Sequence, residues 1–123
     1  MFIINADDFG SDQLTTDRIL SSYKNGRITS ASAMMFMSDT ERSAELALEF
    51  GLDVGLHLNF TEQFSGKNTS TLLNNYHKNI SNFLLKSKYY FIMYNFHLRR
   101  QFNYIFERQY DEYLRFTTKY QII

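Results

Sequence analysis

Between residues 2 and 59 the chain alternates apolar stretches of strand length with amphipathic stretches of helix length. Nothing else in the sequence constrains the fold as strongly. Phe2–Ala6 is a short strand candidate. Asp12–Asn25 has helical spacing, with Ser11 or Asp12 as N-cap, Ile19, Leu20 and Tyr23 on one face, and Gly26 as a left-handed stop. Ile28–Phe36 reads as a second strand, carrying the small residues Ser30, Ala31, Ser32 and Ala33. Ser38-Asp39-Thr40-Glu41 has the form of a capping box; the stripe Ala44, Ala47, Leu48 follows it, and Gly51 ends the helix. Asp53–Asn59 is the third strand. A βαβαβ order calls for a parallel sheet with helices packed outside it, so the expected class is α/β.

The stretch "FIINADDFG" places two adjacent carboxylates, Asp7 and Asp8, directly behind the first apolar run. Like charges side by side repel, and burying them costs several kcal/mol each unless something pairs with them. The bland reading is a solvated turn capping the next helix, since acidic residues favour helix N-termini. The sharper reading is that they face a cation or a proton-transfer task. In "DVGLHLN", Val54, Leu56 and Leu58 point one way, while Asp53, Gly55, His57 and Asn59 point the other. His57 stands near the carboxyl end of its strand, the end where parallel α/β architectures bind ligands. Asp7, Asp8 and His57 therefore share one rim. Carboxylate and neutral imidazole suit a divalent cation such as zinc, magnesium or manganese. Such an ion lowers the pKa of water and polarises a carbonyl. A neighbouring carboxylate that does not ligate is then free to take a proton as general base. Taken alone, His57 is more often a half-buried strand residue with a backbone partner.

Composition narrows the field. The 123 residues suffice for one domain, and 13 Lys plus Arg balance 13 Asp plus Glu, so no net field points to nucleic acid or to an anionic membrane. Cysteine is absent, which excludes disulfides and thiolate metal sites. No signal-peptide pattern and no apolar run of ~18 residues is present, so a soluble cytoplasmic protein is the expectation. From about Thr69 onward the chain is rich in Asn, Lys, Tyr and Phe. "KYYFIMYNF" is a candidate sugar-stacking lid, though a buried strand or packed helix is its ordinary meaning. Leu98–Lys119 reads as a long helix with Leu98, Phe102, Ile105, Phe106 and Tyr113 near one stripe, a core face. His77, in "NNYHKN", is expected in a surface loop or frayed helix, and His97 just before the last helix. Neither is promoted to a metal ligand, since lone histidines are more often surface or structural.

Three blocks, "INADDFG", "NGRITSASAMM" and "GLDVGLHLNFTE", resemble the YdjC-like carbohydrate deacetylases, the group that includes chitooligosaccharide deacetylases. The resemblance covers residues 1–62. It implies a (β/α) barrel and metal-dependent hydrolytic removal of acetyl groups from N-acetylated sugars of the N-acetylglucosamine type, with Mg or Zn as the divalent ion. Carried over position by position, Asp7 resembles the general base and Asp8 and His57 the metal ligands, with Asn59 and Thr61 supporting the pocket. Members of the family run to about twice this length, a closed barrel taking ~200 residues or more. They supply further histidines from a later block, Thr-His-x-Asp-x-His-x-His, and "YQII" reads as the opening of the strand before it. The resemblance thus implies a third metal ligand beyond Ile123. It also implies a single incomplete catalytic domain: residues 1–62 as the motif-bearing βαβαβ unit, 63–97 as a variable insertion or loop region, and 98–120 as a long helix. Such a partial barrel leaves strand edges that a second copy, as a homodimer, would cover. Its activity alone is expected to be impaired.

Two other classes compete. One is a catalytically inactive fragment acting only in binding. The other is a receiver-like Mg-binding signalling domain, which also carries an acidic pair after its first strand. That class needs a phospho-accepting Asp at the carboxyl end of the third strand, where this chain has His57; Asp53 stands at its beginning.

Overall fold

A strand hides its apolar face only if the helix that follows folds back over the sheet, and both crossovers here do so. The computed structural model describes residues 2–86 and 96–120. In chain order they form β1 (Asn5–Phe9), α1 (Gln13–Lys24), β2 (Ser30–Met34), α2 (Thr40–Phe50), β3 (Asp53–His57), α3 (Thr71–Lys86) and α4 (Phe96–Tyr120). The three strands pair in parallel in the order β1-β2-β3. Among the described residues the three strands do not close on themselves, and the α/β fold is an open, partial barrel. The segment 87–95, which holds most of "KYYFIMYNF", and residues 121–123, the end of "YQII", lie outside the described residues. No helix among the described residues is long and apolar enough to cross a membrane.

Local signals set the helix ends. Asp12 caps α1 by accepting from the Thr15 amide at 2.7 Å. Gly51 ends α2 in the left-handed region at φ 68°, a conformation that costs a β-carbon-bearing residue more than glycine. The expected capping box does not form. Asp39 is the N-cap of α2 and makes no side-chain cap bond. Thr40 Oγ1 instead accepts from the Met37 amide and donates to the Met34 carbonyl, both at 2.9 Å, which ties the start of α2 to the end of β2. Asp39 pairs with Arg42 at 2.8 Å, and the same guanidinium reaches Asp17 of α1. Tertiary hydrogen bonds have displaced the local one.

The first strand is shifted from its expected place. Phe2 and Ile3 are 88% and 76% exposed and precede the sheet, and the acidic doublet falls inside β1. The core gathers Phe9, Ile19, Ala31, Ala33, Ala44, Ala47 and Val54 between sheet and helices. Tyr113 Oη of α4 donates to the Val54 carbonyl at 2.9 Å, which docks α4 beside β3. Within 63–97, expected as loop, the chain forms α3, whose Leu73, His77 and Ile80 are buried. His77 is therefore an interior residue of a helix and not a surface one; its place in the apolar i, i+3, i+4 stripe of α3 puts it there.

The loop after β3 is pinned to the end of β2. The Gly66 amide donates to the Phe36 carbonyl at 2.8 Å. A Cβ at Gly66 would lie 2.7 Å from that oxygen, so only glycine fits.

Candidate functional site

In a regular strand adjacent side chains point to opposite faces, so Asp7 and Asp8 should be unable to act together. The backbone resolves this with a bulge. Ala6 pairs with Ala31 and Phe9 with Ala33, so β1 spends three steps where β2 spends two. The extra residue lies in the acidic doublet, and Asp8 takes φ 69°, a left-handed conformation costing of order 1–3 kcal/mol in a non-glycine residue. Both carboxylates thereby reach the end of β3. His57 Nδ1 lies 3.6 Å from Asp8 Oδ1 and 4.0 Å from Asp7 Oδ1.

Both separations exceed a hydrogen bond and lie at ion-pair distance. Two donors bonded at about 2.0–2.2 Å to one ion stand roughly 3–4 Å apart, which the Asp8–His57 spacing matches. The residues present thus fit a divalent ion held by one carboxylate and one imidazole. Among the described residues, no group of three or more His, Cys, Asp or Glu side chains is arranged to hold a metal. The side chains of Asp7, Asp8 and His57 are 67%, 48% and 28% exposed. Open to water, the two acids escape the desolvation penalty that burial would impose.

Asn5 is a site residue that sequence reasoning passed over. Its Nδ2 donates to Asp7 Oδ1 at 3.1 Å and to Ser32 Oγ at 2.9 Å, while its Oδ1 accepts from Ser30 Oγ at 2.9 Å. Two serines of β2 thus orient the amide that holds Asp7. The available signal was the period-two alternation that puts Asn5 and Asp7 on one face.

Beyond His57 the expected alternation ends with the strand. Leu58 is 38% exposed and Asn59 only 3%. The Asn59 side chain is fully used: Oδ1 accepts from the Thr61 and Glu62 amides, and Nδ2 donates to the Glu62 carbonyl at 2.7 Å and to Met37 Sδ at 3.9 Å. Its backbone is clasped by Gln109 of α4, whose Oε1 accepts from the Asn59 amide at 2.8 Å and whose Nε2 donates to its carbonyl at 3.0 Å. Gln109 is completely buried, and nothing local in the sequence marked it. Thr61 is exposed and lines a cavity next to α3.

His77 lies behind this loop, its ring 4.2 Å from that of Phe64. Burial pushes its imidazole below the ordinary value, partly offset by a hydrogen bond to the Asn59 backbone. The unfolded chain takes up a proton near pH 6.5 that the folded chain refuses, so stability falls as pH drops from there toward the lowered folded value. Urea denaturation at pH 7 and pH 5 is expected to show this loss, at most about 1.4 kcal/mol per pH unit. His77→Phe, which keeps the ring contact, is expected to flatten it. The side chain of His97 lies outside the described residues.

Comparison with known proteins gives the same direction. Over 75 residues the chain is 41% identical to a carbohydrate deacetylase of Clostridium beijerinckii, covering 59% of this chain and 31% of that one. Over 62 residues it is 37% identical to chitooligosaccharide deacetylases of Yersinia pestis and Yersinia pseudotuberculosis, covering 50% of this chain and 24% of theirs. The matched stretch is thus under a third of these relatives' own length. No solved structure matches the chain. A family model described as YdjC-like protein matches residues 1–121. Nearly the whole chain falls within that match, and the protein belongs to the YdjC-like family.

Proposed function

We propose that the rim formed by Asp7, Asp8 and His57 serves metal-dependent hydrolysis of the acetamide of an N-acetylglucosamine-type sugar. The observation that carries this reading is the bulge in β1, which turns two adjacent carboxylates toward one imidazole at the carboxyl end of the sheet. A strained backbone that serves only to expose two acids would be a pure cost. The names of the relatives support the same chemistry.

Asp8 and His57 would hold the ion, and Asp7 would remain outside its coordination. A bound Zn or Mg ion supplies Lewis acidity, polarising an acyl oxygen and making water a better nucleophile at neutral pH. Asp7, held by Asn5, takes the proton of the attacking water as general base; as the water oxygen bonds the acetyl carbon, the acetamide C–N bond breaks and the amine takes up a proton as it leaves. The half-exposed rim admits a sugar from solvent, while the serines of β2 keep the Asn5 amide aimed. Zinc usually takes three protein ligands, so the two present here hold an ion weakly.

Acetate release from tri-N-acetylchitotriose, followed with added Zn or Mg and then with excess chelator, tests the reading. Slow release that the chelator abolishes is the expected result. Release that persists undiminished under chelator would remove the metal from the mechanism.

A further inference from the structure

The chain is neutral as a whole but not along its length. Up to Glu62 it holds ten acidic side chains and four basic ones. Between Glu62 and Glu107 it holds no acid, and Lys67, Lys78, Lys86, Lys88, Arg99 and Arg100 all fall there. The fold turns this division of the sequence into a division in space. Lys78 and Lys86 are exposed on α3, and Arg99 and Arg100 are exposed at the start of α4. None of these four makes an ion pair among the described residues, whereas Arg42, Arg108, Arg115 and Lys119 all do.

The complementary charge lies on α2. Glu41, Glu45 and Glu49 recur every four residues on its exposed side, a spacing at which like charges repel. Each surface also carries an exposed leucine beside its charges, Leu85 next to Lys86 and Leu48 next to Glu49. One molecule does not bring the two surfaces together. Near the start of α4, Gln101 accepts from Asn79 of α3 at 3.1 Å; near its end, Lys119 donates to Glu41 of α2 at 3.2 Å. The helix between those contacts spans about 27 Å, and Glu49, two turns from Glu41, closes that gap by at most about 12 Å. Charges in water are screened beyond about 8 Å. The glutamates of α2 therefore leave Arg99 and Arg100 of the same molecule unneutralised.

We propose that the basic surface of α3 and α4 docks on α2 of a second copy of this chain, reciprocally, in a two-fold pair. A second copy is the partner whose charge the sequence itself supplies: it sets glutamates at helical spacing and an exposed leucine against basic side chains and another leucine. A two-fold arrangement uses each surface once on each molecule, so both contacts form together and neither is left over. Helix surfaces make this contact, not the open edges of the sheet, and no residue of the rim takes part. Complementary charge steers the encounter and fixes its register, so the pair is sensitive to salt.

Sedimentation equilibrium of the 123-residue chain at about 50 mM and about 500 mM salt tests this. A dimer is expected, with a dissociation constant that rises about tenfold or more at the higher salt. Arg99→Glu with Arg100→Glu, and separately Glu45→Lys with Glu49→Lys, should each give a monomer, since each sets like charges against one another in both contacts. Mixed in equal amounts, the two double variants should recover the dimer, because every contact in the mixed pair again joins opposite charges. Circular dichroism matching the parent chain checks that both variants fold. A monomer at low salt, or a mixture of folded variants that stays monomeric, would overturn the proposal. So would a dimer indifferent to salt and to both double variants, which would mean pairing through strand edges. A monomer that binds vesicles of anionic lipid would overturn it too, by giving the basic side chains a different partner.

Discussion

Asp7→Asn is expected to lower acetate release by roughly 10²–10⁴-fold, the usual contribution of a positioned general base. The change is close to isosteric, and Asn retains an oxygen that can accept from Asn5 Nδ2. The side chain is two-thirds exposed, so thermal stability should shift little; surface substitutions of this kind usually stay within about 0.5 kcal/mol. A large loss of rate with an unchanged melting curve is thus the signature sought, measured on the same preparation. An unaltered rate in Asp7→Asn would refute the role assigned to it.

The largest stability effect is expected at Gln109. Its amide acts as a surrogate strand for Asn59, giving an acceptor to the N–H and a donor to the carbonyl two residues past the end of β3. Gln109→Leu keeps the volume approximately and removes both bonds. The buried Asn59 N–H is then left without the Gln109 acceptor, which costs the desolvation penalty of that group. Together the losses come to roughly 2–4 kcal/mol, a large share of the stability of a domain this size. Urea denaturation of the variant, with hydrogen exchange at the Asn59 amide, gives the measurement. A midpoint equal to that of the parent protein would mean that the clasp is incidental to stability.

These two residues differ in how visible they were beforehand. Asp7 announces itself, because a charged doublet behind an apolar run is costly unless it is solvated or partnered. Its place at a strand's carboxyl end also follows from the βαβαβ pattern. Gln109 is one polar residue among many in a long helix, and its partner lies 50 positions away in the chain. His77 sits between these cases. It lies on the apolar stripe of α3 with Leu73 and Ile80, so its burial was readable once that helix was recognised. The Asn- and Lys-rich composition of the segment hid the helix.

Short-range physics accounts for the rest of the agreement. Helix starts and stops depend on residues a few positions apart, so Asp12 and Gly51 do what their types dictate. Where long-range bonds compete, the local rule yields, as at Thr40, whose hydroxyl binds the end of β2 and leaves the capping box unmade.

By itself, then, the amino-acid order determined an α/β chain of alternating strands and helices, parallel in its sheet, with Asp7, Asp8 and His57 toward the carboxyl ends of their strands. Only the tertiary structure decided how two neighbouring acids come to look at the same imidazole, through one extra residue in β1 and a left-handed Asp8. It alone also brought Gln109 and His77 onto the Asn59 backbone. The reason is one of range: periodicity and capping are settled within a turn or a strand. Bulges and buried amide clasps are settled by whichever distant backbone arrives beside them.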